Sequence, residues 1–246
     1  MRIGRAAALL AALTLSAAGC RTGELFKQYE YEEDVYLSLD GSATVYVNAS
    51  VAALDALRGA SFATSANATI DRDAVRAWFT TPATTVTRRP TLSRRSSRRF
   101  VHVRLDVDDV RNLAQAAPLA WSTYTFGKDG DVLAYRQVVG PAAGKAVGDV
   151  GWNGQEIVAF RLHLPSNVVD TNALAENHKR GNILVWEQLL TDRLRGEPLT
   201  LEARIESESI LSQTLLLFGV TFLAVAVVFG LVLWWVMRRG RLRQAA

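Results

Sequence analysis

A run of 24 residues without a charged side chain, from Thr214 to Met237, constrains this chain more than any other feature. A helix of that length measures about 36 Å, which is enough to cross the hydrocarbon core of a bilayer with some tilt. A helix also satisfies its backbone hydrogen bonds internally, as lipid requires. A buried core helix is the alternative, but the length of the run and its charged borders argue against it. The sequence therefore predicts one transmembrane helix over residues 210–237.

The residues that flank this run predict its orientation. Glu206 and Glu208 precede it, whereas a basic tail follows it directly after two interfacial tryptophans, Trp234 and Trp235. Basic flanks stay in the cytoplasm. We therefore expect residues 238–246 to be cytoplasmic and residues 20–209 to form an extracytoplasmic domain. The basic residues of the tail are Arg238, Arg239, Arg241 and Arg243.

The N-terminus has the three-part layout of an export signal over residues 1–19. Arg2 and Arg5 precede a short apolar run, and small residues lead up to Cys20. Ala17-Ala18-Gly19-Cys20 resembles a bacterial lipobox, which implies that Cys20 becomes lipidated with acyl chains such as palmitate. Lipidation would also explain a single unpaired cysteine in an exported protein. An ordinary signal peptide that happens to carry a cysteine is the alternative.

Two anchors would fix where the protein works. A single acyl chain binds membranes reversibly, but a spanning helix is effectively permanent. With Cys20 lipidated and residues 210–237 in the bilayer, both ends of the domain are held at one membrane. We therefore expect a single-pass protein of the cytoplasmic membrane, with its domain on the extracytoplasmic face.

The high isoelectric point, about 9.5, reflects these topology signals. Without the six arginines of the signal and the tail, 22 basic residues face 24 acidic ones, a net charge of −2. This balance gives no support for nucleic-acid binding. About 190 residues are also enough to bury a sizeable core.

Alternating apolar residues predict a domain built mainly of strands. Tyr31, Val35 and Leu37 share one face of the first strand while Tyr36 lies on the other, and Asp40-Gly41 predicts a hairpin turn. Short helices are expected at 52–58, 71–79 and 108–116. Strands are expected at 31–39, 43–47, 101–107, 119–126, 132–139, 156–164, 183–188 and 199–206. The fold class is therefore α+β: a curved, mainly antiparallel sheet with short helices on one face, followed by one C-terminal transmembrane helix.

The C-terminal half resembles LppM-type bacterial envelope lipoproteins. The resemblance lies in Phe160-Arg161-Leu162-His163-Leu164-Pro165, in Asn172, and in Gly181-Asn182-Ile183-Leu184-Val185-Trp186. These motifs precede one further strand and a terminal membrane helix, so the resemblance covers about residues 156–237 and the general layout. It implies an envelope lipoprotein whose domain contacts lipid or glycolipid, and it brings no catalytic residues.

An arginine-rich segment is the most conspicuous candidate site. Guanidinium groups bind phosphates well, so we consider contact with anionic lipid head groups; the alternative is a solvated hairpin tip. Nucleic acid is not expected, because no aromatic stacking pattern accompanies the arginines. The segment contains Arg88, Arg89, Arg94, Arg95, Arg98 and Arg99.

Other motifs give weaker indications of a functional site. The Gly140–Lys145 loop lacks the spacing and the Ser or Thr of a phosphate-binding loop, so a flexible linker is expected. The histidines are dispersed, and we predict no metal, cofactor or catalytic site. Four tryptophans either line an apolar ligand groove or fill the core: Trp78, Trp121, Trp152 and Trp186.

Two functional hypotheses follow. The first is a non-catalytic binding module that holds a lipid or glycolipid at the membrane. The second is a scaffold or assembly protein that contacts other envelope proteins. An enzyme would need a polar cleft with perturbed acids, and the sequence offers no such group.

Overall fold

The computed structural model describes residues 27–65, 67–173 and 182–244, and only the backbone of 211–213 and 236–244. Cys20 and the predicted signal lie outside the described residues. Eleven strands are described: β1 (Tyr29–Leu37), β2 (Ala43–Ser50), β3 (Thr85–Val86), β4 (Thr91–Arg95), β5 (Arg98–Val107), β6 (Ser122–Asp129), β7 (Val132–Val139), β8 (Ile157–His163), β9 (Val168–Thr171), β10 (Ile183–Leu189) and β11 (Leu199–Glu206). The helices are α1 (Val51–Arg58), α2 (Arg72–Phe79), α3 (Leu190–Leu194), α4 (Ile210–Gln244) and two 3-10 helices, Val110–Gln115 and Ala117–Leu119.

A seven-stranded mixed sheet forms the larger layer, in the order β10-β8-β1-β2-β5-β3, with β4 also paired to β5. β1 and β8 run parallel, while the other pairs of this sheet are antiparallel. The β1–β2 hairpin turns at Asp40-Gly41 as predicted, with Gly41 at a φ of +91°.

The second layer is a four-stranded antiparallel sheet in the order β6-β7-β11-β9. Apolar residues of both sheets, such as Val45 and Leu162 of the first and Tyr135 and Ala203 of the second, belong to one buried cluster. The two halves of the region before α4 therefore share a core. The α+β prediction is confirmed, with two sheets where one was expected.

The predicted facing of β1 holds: Tyr31, Val35 and Leu37 are buried, and Tyr36 is exposed. Four short elements were not predicted, namely β3, β4, β9 and α3. In β4 the two terminal arginines hide the alternation. The helix predicted at 108–116 is a 3-10 turn instead, and Pro118 shortly after it prevents its continuation.

The first sheet has two distinct ends. We call the end that holds the β1–β2 turn and the last residues of β5 and β8 the α4 end. There the Ile210 amide donates to the Pro165 carbonyl at 3.1 Å, and the Ser166 hydroxyl donates to the Glu208 carbonyl at 2.7 Å. The opposite end, with Tyr29 and Arg98, is the hairpin end. At the rise of an extended strand, Arg98 and Asp106 are about 26 Å apart along β5.

α4 carries the predicted membrane segment. Thr214–Trp235 has a mean hydropathy of 2.8, and no part of it is buried against the rest of the chain. Among the described residues it is the one helix long and apolar enough to cross a membrane. Such an unburied apolar surface indicates that the protein is associated with a membrane.

Candidate ligand cleft and arginine hairpin

The outer face of the first sheet, away from the second sheet, carries polar and aromatic side chains on neighbouring strands. Arg161 on β8 donates to Glu32 at 2.7 Å and to Asp34 at 3.1 Å on β1. The Arg161 guanidinium also lies 5.1 Å from the centre of the Tyr29 ring. Since outward positions of adjacent strands meet on one face, these contacts form a continuous polar surface.

An aromatic stack lies at the α4 end of this face. The rings of Tyr36 and His163 are parallel, with their centres 3.8 Å apart, and Tyr46 meets Tyr36 edge-on at 5.4 Å. Tyr36 remains 43% exposed. Arg104 lies 5.7 Å from the Tyr46 ring, so the stack borders a cation.

These side chains border an open cleft of about 540 Å³. One wall carries Arg104 and Asp106, whose nearest charged atoms are 3.6 Å apart. Hydroxyl groups of the β1–β2 turn and of β2 add donors and acceptors. The lining residues that matter below are Tyr36, Ser38, Thr44, Arg104, Asp106 and His163.

Burial lowers the pKa of His163 below its ordinary value, and the positive charge of Arg161 lowers it further, although Asp34 opposes both. The imidazole is therefore neutral at pH 7. A neutral ring stacked on Tyr36 offers a flat, weakly polar surface rather than a positive charge. Such a surface suits the apolar faces of a polar ligand better than it suits a phosphate.

The cleft lies beside the start of the membrane helix. Pro165 is part of the cleft lining, and its carbonyl accepts the Ile210 amide at the first residue of α4. A ligand in the cleft would therefore be held close to the membrane surface. The alternation in β1 predicts that Tyr36 lies on the face opposite to Tyr31, but it could not bring Tyr36 together with His163, because β1 and β8 are far apart in the chain.

The arginine-rich segment forms the β4–β5 hairpin, which we call the arginine hairpin (residues 91–99). Its turn residues Ser96 and Ser97 both have left-handed backbone angles, with φ of 48° and 60°. Arg94 pairs with Arg99 across the hairpin, and Arg95 pairs with Arg98. Arg94 and Arg95 are exposed, and Arg99 is half-buried.

Arg98 differs from the other five arginines because it is buried. It donates to Glu30 at 2.8 Å, to the Gly151 carbonyl at 2.9 Å and to the Gln28 side chain at 3.1 Å. The ion pair with Glu30 offsets the cost of burying the guanidinium. We therefore remove Arg98 from the set of arginines that could meet a lipid surface.

Arg88 and Arg89 precede the arginine hairpin and are not part of its tip. Arg88 and Arg89 are exposed, and Arg89 makes a surface ion pair with Asp73 of α2 at 3.2 Å. A second open cavity of about 560 Å³ lies at the tip itself, bordered by Ser96, Ser97 and Ser65. The hairpin therefore presents Arg94 and Arg95 outward, with Arg99 beside them.

The four tryptophans do not line one groove. Trp186 is buried in the core, and Trp121 packs against Tyr31 and Phe160 between the sheets. Trp78 is part of α2 and contacts Phe79 of the same helix and Phe62, whereas Trp152 donates to Glu30 at the hairpin end. Of the two readings left open by the sequence, core filling describes Trp121 and Trp186.

The Gly140–Lys145 loop is tied to α1 rather than free. The amides of Ala143 and Gly144 donate to the carbonyls of Leu57 and Ala56, and Lys145 donates to the Ala60 carbonyl at 2.6 Å. Its amide groups are thus used on carbonyls at the end of α1, so they are not available to a phosphate. The segment is irregular, as expected of a linker, but it is held in place.

No cluster of metal-ligating side chains is assembled in the described residues, and His102 joins Ser93 to Asn48. No group of three or more His, Cys, Asp or Glu side chains lies within metal-binding distance in that part of the chain. His102 accepts or donates to Ser93 at 2.7 Å and to Asn48 at 2.9 Å, as a neutral ring does.

Comparison with known proteins gives one match. No family model matches the chain, and no curated protein matches its sequence. Among solved structures, the chain is similar to the NMR structure of the folded domain of Mycobacterium tuberculosis LppM, with a TM-score of 0.40 and 12% identity. The match covers 74% of this chain and 92% of that domain.

Proposed function

We propose that this protein is a membrane-anchored envelope lipoprotein whose extracytoplasmic domain is a non-catalytic binding module for the head group of a lipid or glycolipid. The observation that carries the proposal is the open cleft beside the first residue of the membrane helix. Cys20 supplies the N-terminal lipid anchor, and the basic tail after α4 keeps the C-terminus in the cytoplasm.

The chemistry of the cleft suits a neutral, hydroxyl-rich head group. The stacked rings of Tyr36 and His163 provide a flat surface for C–H groups. Arg104, Asp106 and the nearby hydroxyls provide donors and acceptors for a few directed hydrogen bonds. The wall charges of Arg104 and Asp106 face each other, and Asp108 adds a further negative charge, so the cleft does not favour an anion.

A non-catalytic role fits the same geometry. A general acid or base needs a shifted pKa and a position within hydrogen-bond reach of a bound substrate. The cleft histidine is stacked flat on Tyr36, and of the two carboxylates in the lining Asp106 faces Arg104 whereas Asp108 is exposed to solvent. We therefore propose binding and presentation of the ligand rather than its chemical conversion.

Native mass spectrometry of the full-length protein, released from nanodiscs made with envelope lipids of its own host, tests this proposal. We expect a defined lipid at close to one copy per chain. Tyr36→Ala and Asp106→Asn should each lower its occupancy about tenfold, as expected for the loss of a packed ring or a directed hydrogen bond. Thr123→Ala, at an exposed position on β6 outside the cleft, is the matched control and should leave occupancy unchanged.

A protein that stays ligand-free in every lipid mixture would overturn the binding module. A scaffold that contacts other envelope proteins would then be the better proposal. Crosslinking in intact cells would identify such a partner.

A further inference from the structure

The N-terminal segment enters the fold at the arginine hairpin. Arg95 donates to the Tyr29 carbonyl at 2.8 Å, and Arg98 holds both Gln28 and Glu30. These contacts fasten the first described residues of the chain to the hairpin end of the sheet. Any anchor upstream of Gln28 therefore pulls on the hairpin itself.

The membrane helix leaves from the other end of the sheet. Ile210 is held at Pro165, beside the last residues of β8. The two attachment points of the domain are thus separated by most of the length of the strands, about 26 Å along β5. If the strands stood perpendicular to the bilayer, the hairpin would lie well beyond the Debye length of about 8 Å from the lipid.

The short N-terminal connection opposes that upright position. Eight residue steps join Cys20 to Gln28, and a fully extended chain of that length reaches at most about 29 Å. An upright domain would therefore stretch the connection almost to its limit, so the short connection favours a hairpin end that lies close to the membrane.

We propose that the arginine hairpin docks on the anionic head groups of the same bilayer that α4 spans, so that the sheet lies lengthwise along the membrane. The proposal rests on the double anchoring stated under the proposed function. Arg94 and Arg95 are both exposed at the tip. Arg94 carries the contact and strengthens it about fivefold, whereas Arg95 also holds the Tyr29 carbonyl. Buried Arg98 fastens the incoming chain.

The test uses full-length protein that its own host has processed, reconstituted in nanodiscs that contain anionic lipid. A fluorophore on Ser65→Cys reports on the tip, because Ser65 borders the same cavity as Ser96 and Ser97. A fluorophore on Asp131→Cys, in the β6–β7 turn, reports on the α4 end. A lipidated Cys20 leaves the introduced cysteine as the single free thiol. Head-group spin labels quench fluorophores that approach the bilayer.

We expect strong quenching at residue 65 in the lipidated protein. Arg94→Gln should lower the ratio of docked to undocked hairpin about fivefold, and neutral lipid should also release the hairpin. Cys20→Ala behind a signal that is cleaved without lipidation should also release the tip. Quenching at residue 131 should change little in all of these proteins.

An unquenched residue 65 in protein whose Cys20 is shown by mass to be lipidated would overturn the proposal. A mass that shows Cys20 unmodified would overturn it as well, because nothing would then draw the hairpin down. Both outcomes are independent of ligand occupancy in the cleft, so failure here is distinguishable from failure of the proposed binding function.

Discussion

Glu33 is the most densely bonded charge in the described core. Its carboxylate accepts from Arg58 at 2.7 Å, Tyr31 at 2.8 Å, Gln137 at 3.0 Å and Tyr124 at 3.1 Å. The Arg58 guanidinium lies 3.3 Å from the centre of the Trp121 ring. These bonds join both sheets and α1 around one ion pair. A substitution of either charged residue should therefore lower the stability of the whole domain.

Removing either partner of this ion pair should destabilise the domain strongly. Glu33→Gln or Arg58→Met alone should each lower the free energy of unfolding by about 3–5 kcal/mol, because the remaining group stays buried without its counter-charge. The double variant should cost less than the sum of the two. Urea titration with pulse proteolysis of the full-length protein measures these values. Strict additivity would show that the two groups act independently.

The histidines of the outer face should make stability depend on pH. Burial lowers the pKa of His102 and of His163, and Arg95 and Arg161 respectively add to the effect. The unfolded chain therefore binds more protons than the folded one once the pH falls below about 6.5, the pKa of a free histidine. The contribution of these two histidines to the free energy of unfolding is complete above that pH and decreases as the pH falls below it.

Unfolding midpoints at pH 7.5 and pH 5.5 measure this dependence. His163→Gln should reduce the loss on acidification, since glutamine keeps polarity without a titrating proton, and His102→Gln should reduce it further. A double variant that loses as much stability as the parent would assign the acid sensitivity to other groups.

Residue facing was predictable wherever alternation is regular, as in β1 and β11. The role of Arg98 was not, because nothing local distinguishes it from Arg94, Arg95 or Arg99. Its burial depends on Glu30 and Gln28, which lie far away in the sequence. The run of arginines indicated a basic surface. The burial of Arg98, however, depends on contacts made only in the folded chain, so it could not be read from the sequence.

At the scale of elements, the irregular loop after β7 begins at a residue that has to be glycine. The Gly140 amide donates to the Trp121 carbonyl at 2.6 Å, and a Cβ atom on Gly140 would also lie 2.6 Å from that oxygen. Arg193 of α3 donates to the Gly140 carbonyl from the other side. The close approach links β6, β7 and α3.

Gly140→Ala should therefore lower the free energy of unfolding by about 1–3 kcal/mol, as overpacking against a fixed backbone group does. Gly127→Ala is the matched control, because a Cβ at Gly127 meets nothing within 4 Å. It should change stability by less than about 0.5 kcal/mol. Equal unfolding midpoints for the two variants would show that the Trp121 carbonyl can move.

Turn chemistry and periodicity located the long elements. Asp40-Gly41 marked the β1–β2 hairpin. The positive φ of Gly41, and of Gly130 in the β6–β7 turn, explains why glycine follows aspartate at both turns. β3 and β9 could not be predicted from such patterns, because strands of two and four residues are too short to show alternation. β3 and β9 form because each pairs with a longer strand, β5 and β11 respectively.

At the scale of the whole molecule, α4 rather than Cys20 should make the attachment to the membrane permanent. Protein that ends at residue 209, and so lacks α4, is held by its lipid anchor alone and should be released by alkaline treatment more readily than the complete chain, because only a spanning helix is effectively permanent. Cys20→Ala in the complete chain should stay in the membrane through α4. Fractionation after carbonate treatment compares the two, and retention of the shortened protein would point to a further membrane contact.

The arrangement of strands was the part that sequence patterns could not supply. The parallel pairing of β1 with β8 joins segments separated by β2 to β7 along the chain. Register within hairpins follows from their turns, whereas this pairing follows from the packing of the complete core. The candidate cleft depends on it, since Tyr36 and His163 come from these two strands.

The position of β11 links synthesis to membrane insertion. β11 lies between β7 and β9, so the second sheet stays open until residues 199–206 have been made. α4 begins at Ile210, almost directly afterwards. The strand that completes the second sheet is thus synthesised just before the membrane segment. A nascent chain that stalls before Leu199 has neither a closed core nor its own membrane helix, and proteases would meet it in that open form.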